Sequence, residues 1–404
     1  MNIVAPQQIR IARSANILDE RPGYRLSAPW GHIAVLEGGG HICELGLASV
    51  PDVNPLWRPQ WSTMDPHRYA PAAHGRKYGP APDGRLLAGI AGHSVSFDQF
   101  GPPSPEETAA GLTTHGEAPC ARWKRLPSTN STTLRYGCTL PEADIEFTRS
   151  IALENTSAVI YCEEQARNLS SYDRPICWNE HVTFGPPFLD ASTLFDMPAT
   201  LSKVCPAQYS QRNPLQADAH FLWPHAPRKG GGQVNLRTGP EGSFGHYTAQ
   251  LLDPAVEIGY ISAANPRQGL LVVYAFRRSD FPWVGNWQES SNRQAAPWRG
   301  RTVCRGLEFS TTPFAIPRRE TLDRGPLFDE RTYRWLPAKS TETVRFVILL
   351  FAIPPDFAGV ASLQIRRGRA MLTEAAPGGR RLGAVVNSFL DARARQPPVA
   401  RKRA

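Results

Sequence analysis

Short runs of strand-forming residues recur along the whole chain with almost nothing helical between them, and this narrows the fold before any single residue is considered. "HIAVLEGGGHICELGL" alternates around Gly38 to Gly40, a hairpin pattern in which glycines supply the positive φ of a tight turn. "TTLRYGCTL" and "ADIEFTRSIAL" are separated by "PE" alone, a second hairpin. "SAVIYCEEQARNL", "VEIGYISAA", "GLLVVYAFRR", "TVCRGLEFSTT" and "VRFVILLFAI" add five more strands. With 38 prolines and 33 glycines in 404 residues, turns are plentiful and long helices disfavoured. The expected class is all-β, a large antiparallel β-sandwich with few short helices.

Two segments read as helices. "SPEETAAG" has Ser104 to cap the first turn, Pro105 at the first position, and Glu106 and Glu107 beside the positive end of the helix. "GAVVNSFLDARAR" reads as a C-terminal helix, whereas "ASLQIRRGRAMLTEA" before it reads as a turn between two strands. No internal repeat and no linker divides the chain. A single domain is expected over 1–390, followed by a basic, disordered tail over 391–404.

The net charge of +9 is unevenly spread. Ten basic residues from Arg366 onward face only Glu374 and Asp391, so the preceding part is nearly neutral. A neutral body suits an uncharged small-molecule substrate, and the basic end reads as a solvated tail. No nucleic-acid signature accompanies it, so no nucleic-acid partner is expected. The first 23 residues lack a continuous apolar run, so no signal peptide is expected. "VRFVILLFAIP" is too short to cross a membrane, and no membrane partner is expected. Seven cysteines without a CxxC pair argue against a disulfide framework and a structural zinc site, and suggest a reduced, cytoplasmic setting. Oligomeric state is not legible.

Three stretches join an ionisable group to a structural punctuator: "TTHGEAP" (113–119), "WNEHVTFGPPF" (178–188) and "CRGLEFSTTP" (304–313). A carboxylate in an apolar strand has its pKa raised by desolvation, which suits Glu308 to general-base work near neutrality. The same carboxylate could instead be a structural partner of Arg305 or another arginine. His181 and His115 could each be a hydrogen-bonded core histidine, a metal ligand or a proton carrier. A mixed site of His115, Glu117 and His181 is the metal reading, though no HExxH or close histidine pair supports it. The ten tryptophans fit either core packing or a flat ligand surface.

Taken in order, a His-Gly turn, a second histidine opening an aromatic-Gly-Pro segment and a late strand glutamate resemble the aldose 1-epimerase (galactose mutarotase-like) superfamily. "IALENTSAVIYCEEQARNLSSYDRPICWNEHVTFGPPFLD" is similar to that family's central region, and "GGGHICELGL" resembles its opening hairpin. The resemblance spans roughly residues 30 to 355. It implies a supersandwich with a sugar in a cleft on one sheet, and needs no metal or organic cofactor. It casts Glu308 as general base, His181 as general acid and His115 as the histidine that holds the sugar. Arg58, Asp280, His93 and Trp287 are the further substrate-binding candidates, with Trp57, Trp61 and Trp283 as other possible stacking faces. The chain departs from the family pattern where Glu117 follows Gly116, and where Val182, Thr183 and Phe184 follow His181. Those departures leave the sugar open. The alternatives are a non-catalytic carbohydrate-binding protein, or a lyase or hydrolase on the same fold.

Overall fold

The computed structural model describes residues 9–80, 82–209, 213–239 and 242–390. Two antiparallel sheets dominate it, one of eleven strands and one of eight. Five adjacent strands of the larger sheet matter most for function: β1 (His93–Ser96), β2 (Asn179–Phe184), β3 (Phe244–Leu252), β4 (Trp283–Ser290) and β5 (Val303–Ser310). Their order in space is β1-β2-β5-β4-β3. To one side of β1 the sheet continues into the N-terminal strands from Arg10 to Leu47; beyond β3 lie Ala199–Val204 and, at the edge, His220–Leu222.

Alternation decides which face each side chain takes. On β2 and β5, Val182, Phe184, Leu307 and Phe309 point between the sheets, where they meet Ile151, Ile160, Phe346 and Ile348 of the smaller one. Each such side chain contributes about 1.5–3 kcal/mol when fully buried. The strand Ile145–Leu153 shows the pattern clearly, with every second residue buried; Arg149 occupies one of those inward positions. Both predicted hairpins form, as do the five further strands. In the first, Gly40 has φ +64° and lies against Trp123, whose ring a Cβ at Gly40 would meet at 2.4 Å.

A third layer covers the outer face of the eight-stranded sheet. Strands Val360–Arg366, Arg369–Glu374 and Arg381–Val385 pack Leu363, Ala370 and Leu372 onto Val273, Val347 and Leu349. The first two are the strand pair expected around Arg366–Arg369. The expected C-terminal helix is corrected, because its first residues form the third strand. "RLGAV" alternates with exposed and half-buried positions, and its backbone bonds are taken by the strand before it. The predicted tail, 391–404, lies outside the described residues.

The helix after Ser104 forms over Pro105–Ala109 with a full capping box: Ser104 Oγ accepts from the Glu107 amide, and Glu107 accepts from the Ser104 amide. Helices at Pro71–Tyr78, Asp83–Gly89 and Arg318–Arg324 were not foreseen, being too short to show an apolar period. None of the seven cysteines is in a disulfide. Among the described residues no helix is long and apolar enough to cross a membrane.

Candidate active site

The outward-facing residues of the five central strands form the site. Strand register puts His181 between Ser94 and Glu308, and puts Glu308 opposite Gly285. One row along, Thr183, Gly306, Trp287 and Tyr247 face the same way. His181 Nε2 approaches Glu308 Oε1 at 3.3 Å, while Nδ1 lies 3.0 Å from the Thr183 hydroxyl, which fixes the ring. The 3.3 Å approach lacks hydrogen-bond geometry. Among the described residues neither Glu308 oxygen has a hydrogen-bond partner.

Both groups are shielded, with His181 5% and Glu308 1% exposed. Burial therefore disfavours either charge. It pushes Glu308 up to about 8 and His181 down to about 4. Burial thus favours the neutral form of each, a protonated carboxyl and an uncharged imidazole. Arg305 does not relieve Glu308: it points between the sheets and donates to Gln288 Oε1 and the Leu236 carbonyl, each at 2.5 Å. The structural pairing with Arg305 is thereby excluded.

His115 joins this pair from the loop after β1. Its backbone is left-handed, φ +64°, ahead of Gly116 at φ +74°. Its ring stands edge-on to His181 at 5.3 Å and lies against Phe100 at the same separation. Nδ1 accepts from the Gly101 amide at 3.3 Å, so the neutral ring carries its proton on Nε2. Burial, with the charges of His181 and Arg293, holds its pKa well below the usual histidine range. Trp287 completes the wall, 5.6 Å from the His181 ring, and touches Trp298 at 6.0 Å. Trp298 in turn stacks on Trp57 at 6.0 Å and stands edge-on to Trp61 at 5.3 Å. Arg293 lies over both Trp287 and Trp298.

Five other candidates are held elsewhere. His93 points between the sheets, since it is one residue out of phase with Ser94. There its Nε2 sits 2.7 Å from Glu180, among Tyr274, Phe309 and Phe346. Arg58 reaches Glu44 at 3.6 Å, in a cluster with Arg25 and His32. Burial opposes ionisation of Glu44, but hydrogen bonds from His32 and Arg25 hold it down at about 2. Asp280 lies in the turn before β4, 3.6 Å from Arg334. Trp283 is fully buried and donates to the Arg331 carbonyl. Glu117 is absent from the pair as well, because its oxygens accept from the Glu142 and Ala143 amides. Among the described residues no group of three or more His, Cys, Asp or Glu is arranged to hold a metal.

The sequence reading missed Thr183, Gly285 and Tyr247. The signal for Tyr247 was available: Tyr247, Ala249 and Leu251 alternate in "GHYTAQLL", a strand pattern that went unread.

Solved structures share this antiparallel sandwich architecture. A candidate aldose 1-epimerase from Klebsiella pneumoniae superposes over 86% of this chain and 85% of its own, with a TM-score of 0.61 at 12% identity. A galactose mutarotase-like protein from Clostridium acetobutylicum matches 85% of this chain and 99% of its own, with a TM-score of 0.55 at 12% identity. A galactose mutarotase related enzyme from Lactobacillus acidophilus matches 82% and 98%, with a TM-score of 0.51 at 14% identity. No family model and no curated protein sequence matches the chain. At these identities the likeness is one of architecture: the chain has the galactose mutarotase-like fold.

Proposed function

We propose that the protein interconverts the anomers of a free sugar or sugar derivative by general acid–base catalysis, within one functional unit spanning 1–390. The observation that carries this reading is the buried contact of His181 Nε2 with a Glu308 carboxylate that has no other partner. A carboxylate desolvated without compensation costs stability, so a structural role is poorly served by it. An acid and a base that share one proton are what ring opening and closure need.

In ring opening, Glu308 as carboxylate takes the proton from the anomeric hydroxyl. The O–H electrons form the carbonyl, the bond from C1 to the ring oxygen breaks, and the ring oxygen takes a proton from His181. Rotation of the carbonyl end and reversal of these steps closes the other face. The return step begins with the proton on Glu308 and His181 neutral, which is the arrangement burial favours in the free protein. His115 Nε2–H would donate to a sugar hydroxyl, and Trp287 would offer a flat apolar face.

Saturation-transfer NMR on a panel of aldoses, beginning with D-glucose and D-galactose, tests this. Exchange above the spontaneous rate is expected, falling by about 10²–10⁴-fold in Glu308→Gln. The rate should hold between about pH 4 and about pH 8 and decline outside that window, as the pair gains a second proton or loses its only one. Wild-type protein that binds a sugar without accelerating exchange would replace this reading with a binding role.

A further inference from the structure

We propose that Tyr247 is a third catalytic residue, whose hydroxyl donates a hydrogen bond to the same sugar oxygen that Glu308 deprotonates; this rests on the proposed acid–base reading. Tyr247 is 8% exposed, and among the described residues its hydroxyl has no hydrogen-bond partner. A phenol hydroxyl buried without a partner is costly, and so is the carboxylate beside it.

Their relative placement follows from two glycines. Gly285 faces Glu308 directly across the β4–β5 ladder. A Cβ built on Gly285 would come within 2.0 Å of the Tyr247 hydroxyl, so that oxygen fills the place of the missing side chain. Directly opposed Cβ atoms in such a ladder lie about 4.5–5.5 Å apart, so the Tyr247 oxygen, 2.0 Å from the place of a Gly285 Cβ, lies in the row of Glu308. Gly306, two residues before Glu308 and on the same face, serves the carboxylate likewise: a Cβ there would meet Glu308 Oε1 at 2.6 Å. Two glycines thus make a slot in which a carboxylate and a phenol face common ground without touching each other.

One hydroxyl oxygen placed between them satisfies both. It donates its proton to Glu308 and accepts from Tyr247. As the proton passes to the carboxylate, negative charge grows on that oxygen and the phenol's hydrogen bond strengthens with it. No proton leaves Tyr247: burial and the nearby Glu308 charge keep it a neutral phenol well beyond physiological pH. Phe100, Phe314 and Ile316 hold the ring in place.

The test compares wild type, Tyr247→Phe and Gly285→Ala by the same exchange measurement, with thermal melting to confirm that each is folded. Tyr247→Phe keeps the ring and removes only the hydroxyl. Its kcat should fall on the order of 10²-fold, with KM changed less than about threefold, because the hydrogen bond matters most when charge develops. Gly285→Ala displaces the same hydroxyl by a different route and should produce the same loss. A folded Tyr247→Phe variant with kcat within threefold of wild type overturns the inference while leaving Glu308 and His181 in place. Wild type that shows no exchange on any aldose overturns the acid–base reading itself. The role of Tyr247, which needs a proton leaving that sugar oxygen, falls with it.

Discussion

The strand Asn179–Phe184 contributes to two histidine–glutamate pairs, one on each side of the large sheet. On the inner side, Glu180 meets His93 at 2.7 Å and Arg149 at 3.3 Å, and accepts from the Trp178 indole at 3.2 Å. Arg149 also bonds Glu164 at 2.5 Å, the Gly40 carbonyl at 2.9 Å and the Tyr136 hydroxyl at 3.2 Å. On the outer side, Glu308 has His181 and no cation. All four members are buried. The inner carboxylate is held by a guanidinium and an indole, so its hydrogen bonds serve the fold. The outer one is left unsatisfied, and its proton is free to move. Burial alone therefore does not mark a functional pair; the absence of compensation does.

This contrast can be broken most sharply from the inner side. Arg149→Met leaves Glu164 and Glu180 without their cation, and should cost about 3–5 kcal/mol of stability in urea denaturation. A variant with an unchanged midpoint would mean that the inner network is not structural. A smaller effect is expected from Glu308. Its pKa is raised on folding, so from about pH 4.5 to about 8 the native state keeps a proton that the unfolded chain has released, and stability falls as pH rises. His181, with its pKa lowered, works in the opposite sense between about 4 and its usual 6.5. The decline from Glu308 is thus unopposed by His181 from pH 6.5 to about 8. Urea midpoints across that range should drop less steeply in Glu308→Gln than in wild type; equal slopes would place the extra proton elsewhere. The smallest effects belong to residues away from the pair. Arg58→Ala and Asp280→Asn should each change exchange kinetics by less than about threefold, since both side chains pair with residues away from the His181–Glu308 contact. A hundredfold loss in either would show that the site extends well beyond the five strands.

Strand period and turn chemistry made the fold legible, because alternation and glycine-bearing turns are local properties of the chain. His181, Glu308, His115 and Trp287 are candidates from the sequence that the structure brings together. His93 was misplaced by one residue of phase: on β1 its neighbour Ser94 faces the site, and nothing in "AGHSVSFDQFG" fixes which of the two points outward. Arg58 and Asp280 were drawn elsewhere by Glu44 and Arg334, partners distant in sequence or on another strand. The C-terminal helix failed for a related reason, since "RLGAV" takes its partner strand from tertiary context. The Tyr247 hydroxyl takes the place left by Gly285, opposite Glu308 in the next strand, a relation that spans three strands and appears in no linear pattern.

The tryptophan wall makes the protein its own optical instrument. Trp57 and Trp298 lie parallel within 5° at a centroid separation of 6.0 Å, with Trp61 and Trp287 edge-on to Trp298. Indoles so close couple their transition dipoles, and the resulting near-ultraviolet circular dichroism depends on their mutual angles. Trp298 sits on the connection between β4 and β5, whereas Trp57 belongs to the segment hydrogen-bonded to the Thr183 carbonyl. Any displacement of that connection relative to the Trp57 segment changes the dichroic signal directly, and can be followed in unlabelled protein, in real time.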